Sequence, residues 1–140
     1  MKKLMSILLA LLLMLAVTGC GGVGQDQPQN GAEVVGDGDT IGEGAKTFQV
    51  EIVDLEGKSI RATVKTDEKT VGEALQALGV LEGEEGPYGL YIKAVNGTTL
   101  DYEKDGAYWA FYIDGAYANT GVDETDIVET SAYALKAEKG

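Results

Sequence analysis

Few residues in this 140-residue chain could do chemistry. Cysteine occurs once, as Cys20, so its thiol can carry a thioether but has no second Cys for an internal disulfide or a Cys-rich zinc site. Histidine is absent. Ser59 and Ser131 therefore have no imidazole to activate them, and no imidazole metal site can be assembled. The acidic residues offer three patterns. Asp101-x-Glu103-x-Asp105-Gly106 matches the start of an EF-hand loop, but position twelve of that loop is Tyr112 instead of a bidentate Glu and the flanks read as strands, so it reads as a polar hairpin loop. Glu82, Glu84 and Glu85 form one acid run, and Asp123, Glu124 and Asp126 another. Paired carboxylates hydrolyse glycosides when set about 5–10 Å apart in a cleft. Nothing in the spacing builds that cleft, and both runs read as solvated loops, with calcium at Asp123–Asp126 as the alternative. Asn96-Gly97-Thr98 fits a glycosylation acceptor and reads as a turn. The chain thus reads as non-catalytic, and Tyr108-Trp109-Ala110-Phe111-Tyr112-Ile113 is its most informative segment. In a strand, Trp109, Phe111 and Ile113 point one way and Tyr108, Ala110 and Tyr112 the other. One set packs in the core; the other offers tyrosines for recognition, with Tyr88, Tyr91 and Tyr117 nearby.

These residues sit behind a leader. Lys2 and Lys3 precede the apolar run Ile7–Val17, which has signal-peptide length and is short of the ~20 residues of a spanning helix. Val17-Thr18-Gly19-Cys20 resembles the bacterial lipobox, with Val where Leu is commoner. The expectation is a lipoprotein signal peptide over 1–19, acylation of Cys20, and an extracytoplasmic protein anchored to the cell membrane by lipid. Loss of residues 1–19 removes two Lys and no acid, which takes the net charge from −12 to −14. Electrostatics therefore oppose anionic lipid and nucleic acid alike, and membrane lipid reached through the acylated cysteine is the expected contact. Residues 20–45, rich in Gly and acids and free of aromatics, read as a flexible tether.

The folded part is expected over 46–140. Phe48, Val50 and Ile52 alternate with polar residues, as do Ile60, Ala62 and Val64, which predicts two strands paired through the Asp54–Lys58 turn. Thr70-Val71-Gly72-Glu73 is a capping box, and Val71, Ala74, Leu75 and Leu78 line one helical face before Gly79 ends it. Glu82–Pro87 reads as an acidic loop, Leu90–Val95 as a strand, Asp101–Gly106 as a loop, Tyr108–Ile113 as a strand, and Ala132–Ala137 as the last strand. The order β-β-α-β-β-β predicts an α+β, β-grasp-like mixed sheet with one packed helix.

Gly86-Pro87-Tyr88, Val95-Asn96-Gly97, Tyr108-Trp109 and Thr120-Gly121-Val122-Asp123, in that order, together with the Thr70–Leu78 helix, resemble the C-terminal domain of transcobalamin and intrinsic factor, a domain also carried by bacterial surface lipoproteins. The resemblance spans about residues 47–137. It implies a β-grasp-like domain that closes over one side of cobalamin, with Trp109, Tyr112 and the Ala116–Thr120 segment facing the ligand. Together with the aromatic strand, this gives Tyr108, Trp109, Tyr112, Tyr117, Asn119 and Thr120 as the candidate ligand-binding set. The chain departs from that pattern in its Glu129-Thr130-Ser131, in its lack of His and in having no room for the large helical domain. The resemblance therefore implies a non-catalytic lipoprotein that binds a corrinoid-like amphipathic ligand and passes it to an importer. The alternative is a surface protein-interaction, adhesion or spacer module that binds a second surface protein and no small molecule.

Overall fold

A computed structural model of the protein describes residues 34–140. The signal peptide, Cys20 and residues 21–33 lie outside the described residues. Four of the nine strands among the described residues carry the architecture. β2 (Lys46–Val53) and β3 (Ser59–Thr66) form the expected hairpin. Its turn is closed by the Asp54 carboxylate, which accepts the Glu56 and Lys58 N–H groups at 2.9 and 3.0 Å. β9 (Ala132–Lys139) runs parallel to β2, and β7 (Ala107–Ile113) pairs antiparallel with β9. With β1 (Thr40–Gly42) parallel to β3, and β8 (Ala116–Tyr117) turned back on β7 through Asp114-Gly115, the order is β1-β3-β2-β9-β7-β8. A second, antiparallel sheet has the order β4 (Leu81–Gly86), β5 (Gly89–Val95), β6 (Thr98–Thr99). The fold is α+β and β-grasp-like, with one packed helix.

That helix is α1 (Val71–Ala77). Thr70 caps it by accepting the Glu73 N–H at 3.1 Å, while the Glu73 carboxylate reaches back to the Lys69 N–H at 3.4 Å instead of that of the cap residue. Val71, Ala74 and Leu75 are fully buried in a core shared with Phe48, Val50, Leu135 and Phe111. A seven-residue helix is marginal alone, so this apolar face is what holds it. Gly72 lets it approach the 3-10 turn Val122–Glu124, since a Cβ there would lie 2.7 Å from Asp123 Cα.

Three expectations are corrected. Residues 34–45 are not tether. Val35 is 2 % exposed, and its N–H and that of Val34 donate to Asn96 Oδ1 at 2.9 and 2.6 Å. Asp37 Oδ1 accepts the Arg61 N–H, and β1 pairs with β3. Composition concealed this because two apolar residues, Val35 and Ile41, suffice when backbone pairing satisfies the polar groups between them. Glu82–Pro87 is not a loop but mostly strand β4, held by its ladder with β5 despite weak strand formers. Asp101–Gly106 contains one turn of helix, α2 (Tyr102–Asp105), in which Asp101 accepts the Glu103 N–H at 2.9 Å and Gly106 closes in the left-handed region at φ 61°. Among the described residues no helix is long and apolar enough to cross a membrane.

Candidate functional site

The alternation of β7 positions the site. Trp109 and Phe111 point inward and are buried, and the Trp109 indole N–H donates to the Thr98 carbonyl at 3.0 Å. Phe111 stacks on Tyr133 at 6.1 Å between ring centroids, and Phe48 meets the same Tyr133 edge-on at 5.6 Å. Tyr108 and Tyr112 stand on the opposite face.

From Ala107 to Phe111, β7 is paired with β9 alone, and β8 joins its other edge only at Tyr112 and Ile113. The gap between this edge and β5 forms a groove of about 290 Å³. Its floor is Leu90, Ile92, Trp109 and Phe111, all at least nine-tenths buried. Its rim is Tyr88, Tyr91 and Tyr117, which are 93 %, 45 % and 59 % exposed. The far wall is the segment 118–122, and two contacts hold it. Asp123 Oδ1 accepts the Leu90 N–H at 2.9 Å, and Gly121 lies so close to Gly89 that a Cβ on Gly121 would be 3.4 Å from Gly89 Cα. The Thr120 and Thr125 hydroxyls, 3.0 Å apart, and the bond from Thr125 to the Gly121 carbonyl at 2.9 Å brace the same wall. No charged side chain lines the groove. Such a site can stack rings and exchange hydrogen bonds through hydroxyls and amides.

Five of the six residues singled out in the sequence line this groove: Tyr108, Trp109, Tyr117, Asn119 and Thr120. Trp109 does so from the floor, as a core residue. Tyr112 does not join them. Its hydroxyl donates to Glu138 Oε2 at 2.6 Å, the Lys136 ammonium sits 4.6 Å above its ring, and its edge meets Tyr117 at 5.6 Å. The hydrogen bond to Glu138, then burial, then the carboxylate charge push the Tyr112 hydroxyl up to about 12. Burial first, and then Glu138, raise that of Tyr108. Sequence reasoning placed Tyr88 and Tyr91 near the aromatic strand without assigning them. The signal was available for Tyr91, an outward tyrosine between the inward Leu90 and Ile92. The acid runs serve the fold: Asp123 ties the wall to β5, and Glu84 pairs with Lys93 at 3.6 Å. Among the described residues no three His, Cys, Asp or Glu side chains gather as a metal-ligand set. Ser131 donates to Asp114 Oδ2 at 3.1 Å, which ties the start of β9 to the turn between β7 and β8.

Residues 68–130, which include the whole groove, match the family model of a domain of unknown function, DUF4430. Among solved structures, the chain is similar to a candidate metal-binding protein from Ruminococcus gnavus ATCC 29149, with 28 % identity and a TM-score of 0.64 over 69 % of this chain and 99 % of that one. It is also similar to haptocorrin in complex with Cbi, with 16 % identity and a TM-score of 0.47 over 67 % of this chain and 25 % of that one. No curated protein matches the chain.

Proposed function

We propose that the domain is a non-catalytic binding module that holds one side of a flat, amphipathic ligand of the corrinoid class in the groove between β5 and β7. One observation carries the reading: an uncharged groove with a buried apolar floor and a rim of exposed tyrosines, braced by the Asp123–Leu90 bond. Exposed tyrosine supplies contact area at low entropic cost, and a braced wall keeps the site preformed. The sequence resemblance to corrinoid carriers supplies the ligand class. At about 290 Å³ the groove is at the lower end of the ~300–1,000 Å³ of ligand pockets, so it covers an edge of such a ligand and leaves the remainder to a second protein.

Purified protein titrated with cobalamin and cobinamide, followed by Trp109 emission and by calorimetry, is expected to saturate near micromolar ligand, about −8 kcal/mol. Tyr91→Ala should weaken that binding about tenfold while leaving the melting temperature in place. A flat titration to millimolar ligand removes this reading. The anchor belongs to the same proposal: lipid on Cys20 holds the module at the outer side of the cell membrane, from which an importer takes the ligand. Cys20→Ala is then expected to move the protein from the membrane to the soluble fraction, and undiminished membrane retention would exclude the anchor.

A further inference from the structure

The outer face of the six-stranded sheet carries a second aromatic feature that shares only Tyr108 and Tyr117 with the groove. Tyr108 and Tyr112 lie on one face of β7, four residues and so about 13 Å apart at ~3.3 Å per residue. Ala110 stands between them, keeping the surface low. Tyr102 on α2 extends the row, its ring 6.3 Å from that of Tyr108 and its side chain exposed. At the other end the row meets a trough of about 220 Å³ whose lining includes Ala132, Ala134 and Gly115, with Tyr112 on one side and Glu51 and Arg61 on the other. The register explains the trough: Tyr112, Ala134, Glu51 and Arg61 stand opposite one another across β7, β9, β2 and β3, so one short side chain sits among long ones.

Tyr112 is held more firmly than a surface ring needs to be. Glu138 accepts a hydrogen bond from its hydroxyl, Lys136 lies over its ring and Tyr117 meets its edge. The Arg61–Glu51 pair, at 3.7 Å with the guanidinium side mostly exposed, adds little to stability and leaves both groups at the border of the trough. Three tyrosine rings along one sheet face, followed by a trough with an acid, a guanidinium, an ammonium and the Gln49 amide at its border, suit a chain of pyranose rings. The C–H faces of such rings meet the negative faces of aromatics, and their hydroxyls need both donors and acceptors. Charge narrows the class further. A chain with a net charge of −12 repels a polyanionic glycan, and a neutral one carries no such cost.

We propose that this outer face binds a linear, uncharged polysaccharide lying along β7 and ending in the trough, with Tyr102, Tyr108 and Tyr112 as stacking residues and Glu51 and Arg61 as hydroxyl ligands. The site is separate from the groove, although Tyr108 and Tyr117 border both.

Calorimetric titration of the full chain with cellohexaose and chitohexaose tests the proposal, with the matching trimers as controls. A row of rings predicts that at least one hexamer binds with Kd below about 1 mM. It also predicts that the trimer binds at least about fivefold more weakly, because it spans fewer rings. Tyr112→Ala should cut hexamer affinity by about tenfold, Tyr112→Phe should retain most of it, and Ala134→Leu should abolish it by filling the trough. Unchanged Trp109 emission confirms that each variant is folded. Tyr91→Ala, which disturbs only the groove, should leave glycan binding intact, so failure of the groove reading and failure of this one are distinguishable. No binding of either hexamer at about 10 mM, equal affinity for trimer and hexamer, or hexamer binding indifferent to both Tyr112→Ala and Ala134→Leu would each overturn it.

Discussion

Strand β7 has two faces that do opposite work with similar side chains. Inward, Trp109 and Phe111 are about 94 % buried (each 6 % exposed) and locked by the Thr98 carbonyl and the Tyr133 ring. Outward, Tyr108 and Tyr112 remain half-exposed, with hydroxyls in reach of solvent and of Glu138. The groove lies where the two faces meet at the unpaired strand edge. It takes its floor from the first set and part of its rim from the second, which is why it is both preformed and wettable. An aromatic strand thus supplies stability through one parity and recognition through the other, and mutations should separate the two.

The sharpest separation is a pair of alanine substitutions three residues apart. Phe111→Ala leaves a cavity against Tyr133 and Phe48 in a packed core, and should cost about 3–5 kcal/mol of unfolding free energy. Tyr108→Ala, on the other face, should stay within about 1 kcal/mol of the parent. Urea unfolding followed by Trp109 emission checks both. Comparable losses in the two variants would show that the outer tyrosines are core after all and would break the division.

That division was legible in the sequence because period-two alternation assigns a parity to every residue of Tyr108–Ile113 whatever the strand's neighbours are. For the same reason the β2–β3 hairpin and the capped helix at Thr70 were readable, since each depends on residues close in sequence. Features decided by distant partners were hidden. Glu82-Gly83-Glu84-Glu85 has the composition of a loop and becomes strand only through its ladder with Gly89–Val95. The segment at Val34–Gly42 becomes structure only because the Asn96 side chain and the β3 edge receive it. Tyr112 was assigned to the ligand site along with its neighbours. Its absence from the groove comes from Glu138 and Lys136, residues on a strand whose register with β7 no local pattern announces.

The smallest expected effect sharpens the comparison most finely, because it concerns one proton on the outer face. The Tyr112 hydroxyl is held protonated up to about 12 by its hydrogen bond to Glu138, then by burial and by the carboxylate charge. In the unfolded chain the same group ionises near the ordinary value of about 10. A folded-state value raised above the unfolded one means that the hydrogen bond's contribution is complete below pH ~10 and is lost as pH rises from there through ~12. Tyr112→Phe removes that contribution and nothing of the ring. The difference in urea midpoint between parent and variant should therefore be small but measurable at pH 8 and shrink as the pH is raised past 10. Tyrosinate absorbance offers an independent reading: of the seven tyrosines in the chain, the variant should lose one that titrates late. If the lost tyrosine instead titrates near 10, the Glu138 bond does not hold Tyr112 in solution. The outer face would then carry loose rings, and the contrast with the locked Trp109 and Phe111 would widen from a difference of exposure to one of order.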